Sequence, residues 1–446
     1  MLMFAQDPLV LGLTLPFWSV LPFVGLLLAI ALFPVFAPAF WLRHYGRVSL
    51  AFGLPTAAYF AVRAPGELLH LSMEYVSFVV LLGALFIVSG GILFRGAMRG
   101  SPAVNSVFLA GGAVLANLLG TTGASMLLIR PLLRANAGRK RSAHVVVFFI
   151  FVVANIGGLL TAIGDPPLFL GYLKGVPFFW TLVHMKWMWF FVVTTVISVF
   201  YMVDRRVFMI EQRAREAATA DEAKGVRHAA SVFTAPCVFS DAAPSLPEEK
   251  VSVSVKGKIN FLLLAAVVGS VFLSSPWREI LMAAAAAASI WLTPAAIRKE
   301  NGFTYHPINE VAILFAGIFA TILPAMLILK ARGVGLGITN PAHFFWATGL
   351  LSSFLDNAPT YLVFLSLAQS LGDVSQVAGV SAPLLKAISA GAVFMGANTY
   401  IGNAPNFMVK AIAEETGVRM PSFFGYMGWS CVVLLPVFIL VTLIFF

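Results

Sequence analysis

Residues Gly158–Pro167 read GLLTAIGDPP, and Gly396–Pro405 read GANTYIGNAP, 238 positions further on. Thr161 falls on Thr399, Ile163 on Ile401, Gly164 on Gly402, Asp165 on Asn403 and Pro167 on Pro405. A second pair keeps nearly the same spacing: NLLGTTGAS (Asn117–Ser125) is followed 236 positions later by SFLDNAPTY (Ser353–Tyr361). Glu74 and Glu310, each opening an apolar run, share the 236 offset. Three landmarks at an almost constant offset argue for an internal duplication. Each copied motif sets Gly, Pro and small polar residues in the middle of apolar sequence. Paired interruptions in the two halves of a membrane chain point to a transport site.

Composition places the chain in a membrane. Sixty per cent of its 446 residues are hydrophobic and 11% are charged, and the mean hydropathy is +0.92. A soluble domain is nearer half apolar and a quarter charged. Several runs, such as Val76–Phe94, Phe178–Val203 and Phe423–Phe446, reach the roughly 20 apolar residues a crossing needs. The start, MLMFAQDP, has no Lys or Arg and contains Asp7, so the first apolar stretch reads as a span and not as a signal peptide. Cys237 and Cys431 give no disulfide framework. The net charge of +10 sits in loops, as expected of segments held at the cytoplasmic face, and does not call for nucleic acid. No HExxH, paired CxxC, Walker or GxSxG motif occurs, so the sequence offers no seat for enzymatic chemistry or a cofactor.

The basic loops also set the sidedness. Arg43 and Arg47, Arg95 and Arg99, Arg130 to Arg141, Arg205 to Arg215, and Arg298 with Lys299 all mark the cytoplasmic side. The segment 103–133 then has basic residues at both ends, which conflicts with a crossing. The conflict goes away if it is a re-entrant hairpin that turns at Gly120-Thr121-Thr122-Gly123. The expected architecture is an all-α polytopic membrane protein of about ten spans, two re-entrant hairpins and two broken helices. The first repeat, 1–203, holds spans over 9–95, the hairpin 103–133, a broken span at 144–174 and a last span at 178–203. A cytoplasmic linker, 204–258, is expected to be helical at 204–224 and disordered after about 230. The second repeat, 259–446, holds spans over 259–330, a hairpin at 342–371, a broken span at 383–413 and a last span. Five crossings per half invert the second repeat, so both termini lie outside. The first span, rich in proline, is the one that reads equally as two pieces.

A helix broken inside a membrane exposes free N–H groups on one side and free C=O groups on the other. Gly120, Gly123, Gly164 and Gly402 permit the turns, and Pro166, Pro167, Pro359 and Pro405 start the next helical pieces. Thr121, Thr122, Thr161, Thr399, Asn357, Asn398 and Asn403 supply neutral oxygen ligands. Asp165 and Asp356 carry the strongest signal, because acids inside apolar segments are costly and mark ion paths or proton relays. They are the candidate Na⁺ ligands. The competing role for each is capping of the helix that follows. Asn155 either faces the same site or bonds to a neighbouring helix. Arg130 is expected to snorkel to the surface, Glu74 and Glu310 to sit solvated at span ends, and Trp180, Trp187 and Trp189 to form an interfacial belt.

Ala154–Trp180, Ser352–Phe364 and Gly396–Glu415 together resemble the ion transporter superfamily. The nearest look is to its bacterial sodium/proton antiporters and arsenite permeases, beside the citrate and dicarboxylate transporters. The resemblance covers most of the chain except 204–258. It implies a bacterial inner-membrane protein, commonly a homodimer, in which hairpins and broken spans move against a scaffold made of the first three spans of each half. The dicarboxylate branch carries Ser-Asn-Thr at its hairpin tips; here the tips read Gly-Thr-Thr-Gly and Asp-Asn-Ala-Pro. The expected function is secondary transport of a small inorganic ion, Na⁺ exchanged for H⁺, with transport of citrate-like anions or arsenite as the alternative.

Overall fold

The computed structural model describes residues 8–95, 100–232, 254–372 and 376–446. The chain starts with a short helix α1 (Pro8–Thr14), followed by a 3₁₀ turn and α2 (Leu21–Phe36). The first apolar stretch is therefore two pieces, divided where Pro16 cannot continue the α1 ladder. Next come α3 (Pro38–Arg63) and α4 (Pro65–Ser89), each opened by proline at its first position, where the missing N–H costs no hydrogen bond. Glu74 thus lies well inside α4 and not at its start. It is 6% exposed and pairs with Lys174 at 2.8 Å, which corrects the expectation of a solvated end residue.

The helix α5 (Pro102–Ala135) would extend about 51 Å if straight. Its ends instead meet: the Gly100 N–H donates to the Ala135 carbonyl at 2.7 Å. Asn105 and Asn136 exchange reciprocal amide bonds of 3.0 and 2.8 Å. The fold-back occurs at Gly120 alone, whose φ of 73° and ψ of 158° lie outside the helical region and suit only glycine. Thr121, Thr122 and Gly123 already belong to the returning arm, so the turn is tighter than the four residues expected.

The broken span that follows comprises α6 (Ala143–Val152), a 3₁₀ turn at Ile156–Leu160, an extended stretch and α7 (Pro166–Leu173). The long α8 (Trp180–Val232) carries on past the bilayer thickness. Most of the linker expected to be disordered, together with Cys237, lies outside the described residues. A two-stranded ladder, β1 (Leu93–Arg95) with antiparallel β2 (Ser254–Lys256), joins the halves at one end of the bundle.

The second half repeats this order with α9 (Ile259–Ser270), α10 (Trp277–Leu292), a surface helix α11 (Ala295–Glu300) and α12 (His306–Arg332). Its hairpin is α13 (Pro341–Phe354) and α14 (Asn357–Gln369), with Phe344 of the outgoing arm against Phe364 of the returning one. The second broken span is α15 (Ala382–Met395), a 3₁₀ turn at Gly396–Asn398 and α16 (Ala404–Glu415), followed by α17 (Phe423–Phe445). Among the described residues seven helical stretches are long and apolar enough to cross a membrane, and the folded α5 is one of them. The other expected spans fall short individually because they are charged (α3), short (α9, α10) or interrupted (α15–α16).

Helix α12, about 40 Å long, serves as a ruler. Arg130 of the first hairpin reaches Gly302, just before α12 begins. Ser370, at the open end of the second hairpin, lies against Gly333, just after α12 ends. The two hairpins therefore enter from opposite ends of the bundle. Arg332 bonds the Leu13 and Leu15 carbonyls, and Phe446 lies against Phe345, so both described chain ends share the end at which the second hairpin opens. Small residues let α3 and α12 cross closely: Gly53 abuts Gly317, and Ser49 donates to the Ile313 carbonyl at 2.8 Å.

Candidate functional site

The two broken spans have the same backbone. Thr161 (φ −133°, ψ 157°) matches Thr399 (φ −136°, ψ 167°), and Asp165 (φ −146°, ψ 147°) matches Asn403 (φ −151°, ψ 138°). The side-chain fastenings match as well. The Thr161 hydroxyl donates to the Asn117 carbonyl at 2.6 Å, and the Thr399 hydroxyl donates to the Ser353 carbonyl at 2.5 Å. Asn117 and Ser353 are themselves 236 positions apart. Each extended loop folds back on its own 3₁₀ turn: Gly164 touches Gly158, and Gly402 touches Gly396, so closely that a Cβ at Gly164 or Gly402 would overlap the opposing carbonyl oxygen.

Asp165 lies where these parts converge and is 1% exposed. Its Oδ1 accepts from the Thr121 hydroxyl at 2.6 Å and from the Asn403 amide at 3.1 Å. Its Oδ2 accepts from the Asn357 amide at 2.6 Å. One carboxylate is thus gripped by both hairpins and by the second broken span. Asp165 makes no capping bond to α7; its side chain is spent on these three partners. Asp356 does cap: its Oδ1 accepts from the Ala358 N–H at 3.0 Å at the start of α14. The two acids therefore divide the roles that the sequence left open to both: Asp165 is the carboxylate at the centre, and Asp356 precedes Asn357, one of its partners, in the chain.

Asn155 belongs to the same network. It donates to the Ile150 carbonyl at 2.8 Å and to Asn406 Oδ1 at 2.7 Å, and accepts from Asn403 at 3.2 Å. Asn406 in turn donates to the Gly396 and Thr399 carbonyls. Three buried amide oxygens, on Asn357, Asn398 and Asn403, accept no hydrogen bond. Asn398 donates to the Ser353 hydroxyl at 2.9 Å. Thr122 is half-buried on the returning arm of α5 and does not reach Asp165. Thr161 and Thr399 act as fasteners of the loops and do not point to the carboxylate. Gly123 sits in the helix interior, and Pro166, Pro359 and Pro405 lie in the first turns of α7, α14 and α16, with Pro167 following Pro166. Four helical segments, the returning arm of α5 and α7, α14 and α16, begin at this point, and their N-termini favour negative charge.

Asn117, Ser353 and Asn406 are the site residues that sequence reading passed over. The first two are related by the same 236 offset as the motifs that contain them. The tryptophans do not form a simple belt. Trp187 is exposed, but Trp180 is buried and Trp189 donates to the Gly157 carbonyl at 2.9 Å, inside the broken span. Among the described residues no group of three or more His, Cys, Asp and Glu side chains is placed to hold a metal ion.

Inward-facing hairpins and paired broken helices around one buried carboxylate define a polytopic membrane transporter. A family model described as "Putative citrate transport" matches residues 12–446, nearly the whole chain, and the protein belongs to that family. The membership speaks for a carrier of a small ion or anion and against an enzyme. A comparison with curated proteins finds no match.

Proposed function

We propose that the protein is a cation-coupled secondary transporter of citrate-like anions, in which Asp165 takes up the coupling H⁺ or Na⁺. The observation that carries this reading is the setting of Asp165: a fully buried carboxylate held by Thr121, Asn357 and Asn403, three neutral donors. None of the side chains bonded to it is Lys or Arg. A buried charge without a counter-ion is costly, and a bound proton or alkali cation relieves that cost. The unpartnered amide oxygens of Asn357 and Asn403 sit on the same side chains that hold the carboxylate, and a cation at Asp165 would satisfy them. The converging helix N-termini suit the carboxylates of an organic anion.

Alternating access follows from the fastenings. The hairpins are tied to the broken spans through Thr161–Asn117 and Thr399–Ser353, while α3, α4, α10 and α12 pack on one another and meet the first group where α12 lies on α14 and α4 on α5 and α7. The first group moves against the second, as one protomer of a homodimer in a bacterial inner membrane with both termini outside. Binding at Asp165 tips the balance between inward- and outward-open states by the difference in its affinity for them.

Exchange of Na⁺ for H⁺ without an organic anion is the second reading, favoured by the absence of any cationic side chain among the partners of Asp165. Proteoliposomes separate the two. Labelled citrate accumulating under an imposed H⁺ or Na⁺ gradient, saturably, supports the first. If citrate is ignored while Na⁺ or Li⁺, but not choline, dissipates an acid-inside gradient, the first is wrong and the second takes its place.

A further inference from the structure

A cavity of about 900 Å³ opens at the end of the bundle marked by the basic loops. This volume is at the upper end of the range for small-ligand sites. Its lining carries Arg130 and Arg134 from the returning arm of α5, Lys140 and Arg141 from the loop into α6, and Arg419 from the loop after α16. Glu300 of α11 is also part of the lining. Two nearby acids, Asp204 and Glu211, are already engaged. Asp204 takes Arg139 at 2.6 Å and His144 at 2.9 Å, and Glu211 takes Arg139 at 3.3 Å and the Arg141 backbone N–H at 2.7 Å. Among the described residues no carboxylate forms an ion pair with Arg130, Arg134, Lys140, Arg141 or Arg419, although Glu415 lies near enough to Arg130 to act on its charge. One Arg130 nitrogen, Nη1, is buried without a partner.

The cavity is coupled to the carboxylate core by two helices. Thr121, bonded to Asp165, begins the helical arm that reaches Arg130 nine residues later, about 14 Å away at helical rise. Asn403, also bonded to Asp165, immediately precedes α16, whose far end leads into Arg419. The rim of the cavity is thus built from the outer ends of the elements whose inner ends hold the site.

We propose that this cavity is a binding vestibule for small polycarboxylate anions on the cytoplasmic face, where the transported anion docks before or after passage through the core. The proposal rests on the citrate-carrier reading for the identity of the anion. Five cationic side chains around a recessed, partly walled volume focus potential and raise the local anion concentration. Arginine suits the ligand because its planar fork matches a carboxylate with two parallel hydrogen bonds.

The test is citrate titration of the purified full-length protein in zwitterionic nanodiscs by calorimetry, at low and high ionic strength. Wild type is expected to bind citrate with an affinity that falls steeply as salt rises. The double variant Arg134→Gln/Arg419→Gln should bind about tenfold more weakly, a change of about 1.4 kcal/mol. Ser142→Glu, which adds an acid to the lining and removes no arginine, should do the same and guards against misfolding of the double variant. Unchanged affinity in both variants overturns the vestibule. Absence of saturable citrate binding by wild type also overturns it. So does loss of phosphatidylglycerol binding in the arginine variants with citrate binding intact, which would make the cavity a lipid headgroup site. Citrate that binds in an arginine-dependent way but is not transported refutes the carrier reading and leaves the vestibule standing.

Discussion

Replacing Asp165 with asparagine removes one charge and almost no volume. The carboxylate accepts three hydrogen bonds, two on Oδ1 and one on Oδ2. With the amide oxygen in the Oδ1 position, Thr121 and Asn403 keep their acceptor, but the new NH₂ faces the Asn357 NH₂. A buried donor left without an acceptor costs about 1–3 kcal/mol. Flipping the Asn357 amide lets its Oδ1 accept from the new NH₂, but it carries its own NH₂ to the buried position of the formerly unpartnered oxygen, so one donor remains without an acceptor. The loss of stability is therefore expected to be about 1–3 kcal/mol, the cost of that one donor. Function should suffer far more. A unit charge about 4 Å from a bound cation, at an effective dielectric of about 20, contributes about 4 kcal/mol. Losing it weakens cation binding on the order of a thousandfold. The assay is gradient-driven citrate uptake in proteoliposomes, paired with a thermal melt of the same preparation. The expected result is a melt lowered by only a few degrees and loss of the dependence of uptake on H⁺ or Na⁺. Wild-type ion dependence in Asp165→Asn would refute the argument, and so would a collapse of the melt far beyond the cost of one unpaired donor.

Gly164→Ala sets a Cβ against the Gly158 carbonyl, both in backbone fixed by the Thr161 and Thr121 bonds, so we expect a loss of folded protein on size-exclusion chromatography; a normal elution profile with full transport would contradict the close packing. Lys174→Met leaves Glu74 buried with only the exposed His70 as partner, and removing one member of a buried pair costs about 3–5 kcal/mol. Lys174 is still 17% exposed, so the lower end is expected, read as a fall in melting temperature that Glu74→Gln in the same chain largely restores. Single cysteines at Ala137 and Gly335, in a background lacking Cys237 and Cys431, lie at opposite ends of the bundle and should react with impermeant reagents from opposite sides of sealed vesicles. Labelling of both from one side would contradict the opposed entry of the hairpins.

Much of this protein was legible in its sequence. The offset of 236 to 238 residues announced the duplication, because a repeated break in apolar sequence has few causes besides a repeated structural element. The first hairpin followed from charge at both ends of a segment that cannot carry it across a bilayer. The importance of Asp165 followed from the cost of an acid in that setting. Its difference from Asp356 did not follow, since both immediately precede a helix that carries proline in its first turn. Only the folded chain brings Thr121, Asn357 and Asn403, drawn from three elements up to 282 positions apart, around one of the two carboxylates and leaves the other to cap α14. The same limit hid Asn117 and Ser353, whose carbonyls matter and whose side-chain types carry no signal for that role. It also hid the ion pair of Glu74, which depends on α7 passing beside α4. Local sequence fixes where a helix must break, because dihedral freedom and hydrogen-bonding capacity belong to single residues. Which broken ends meet is decided by how twenty-odd segments pack together, and that sum of many weak contacts is written at no single position.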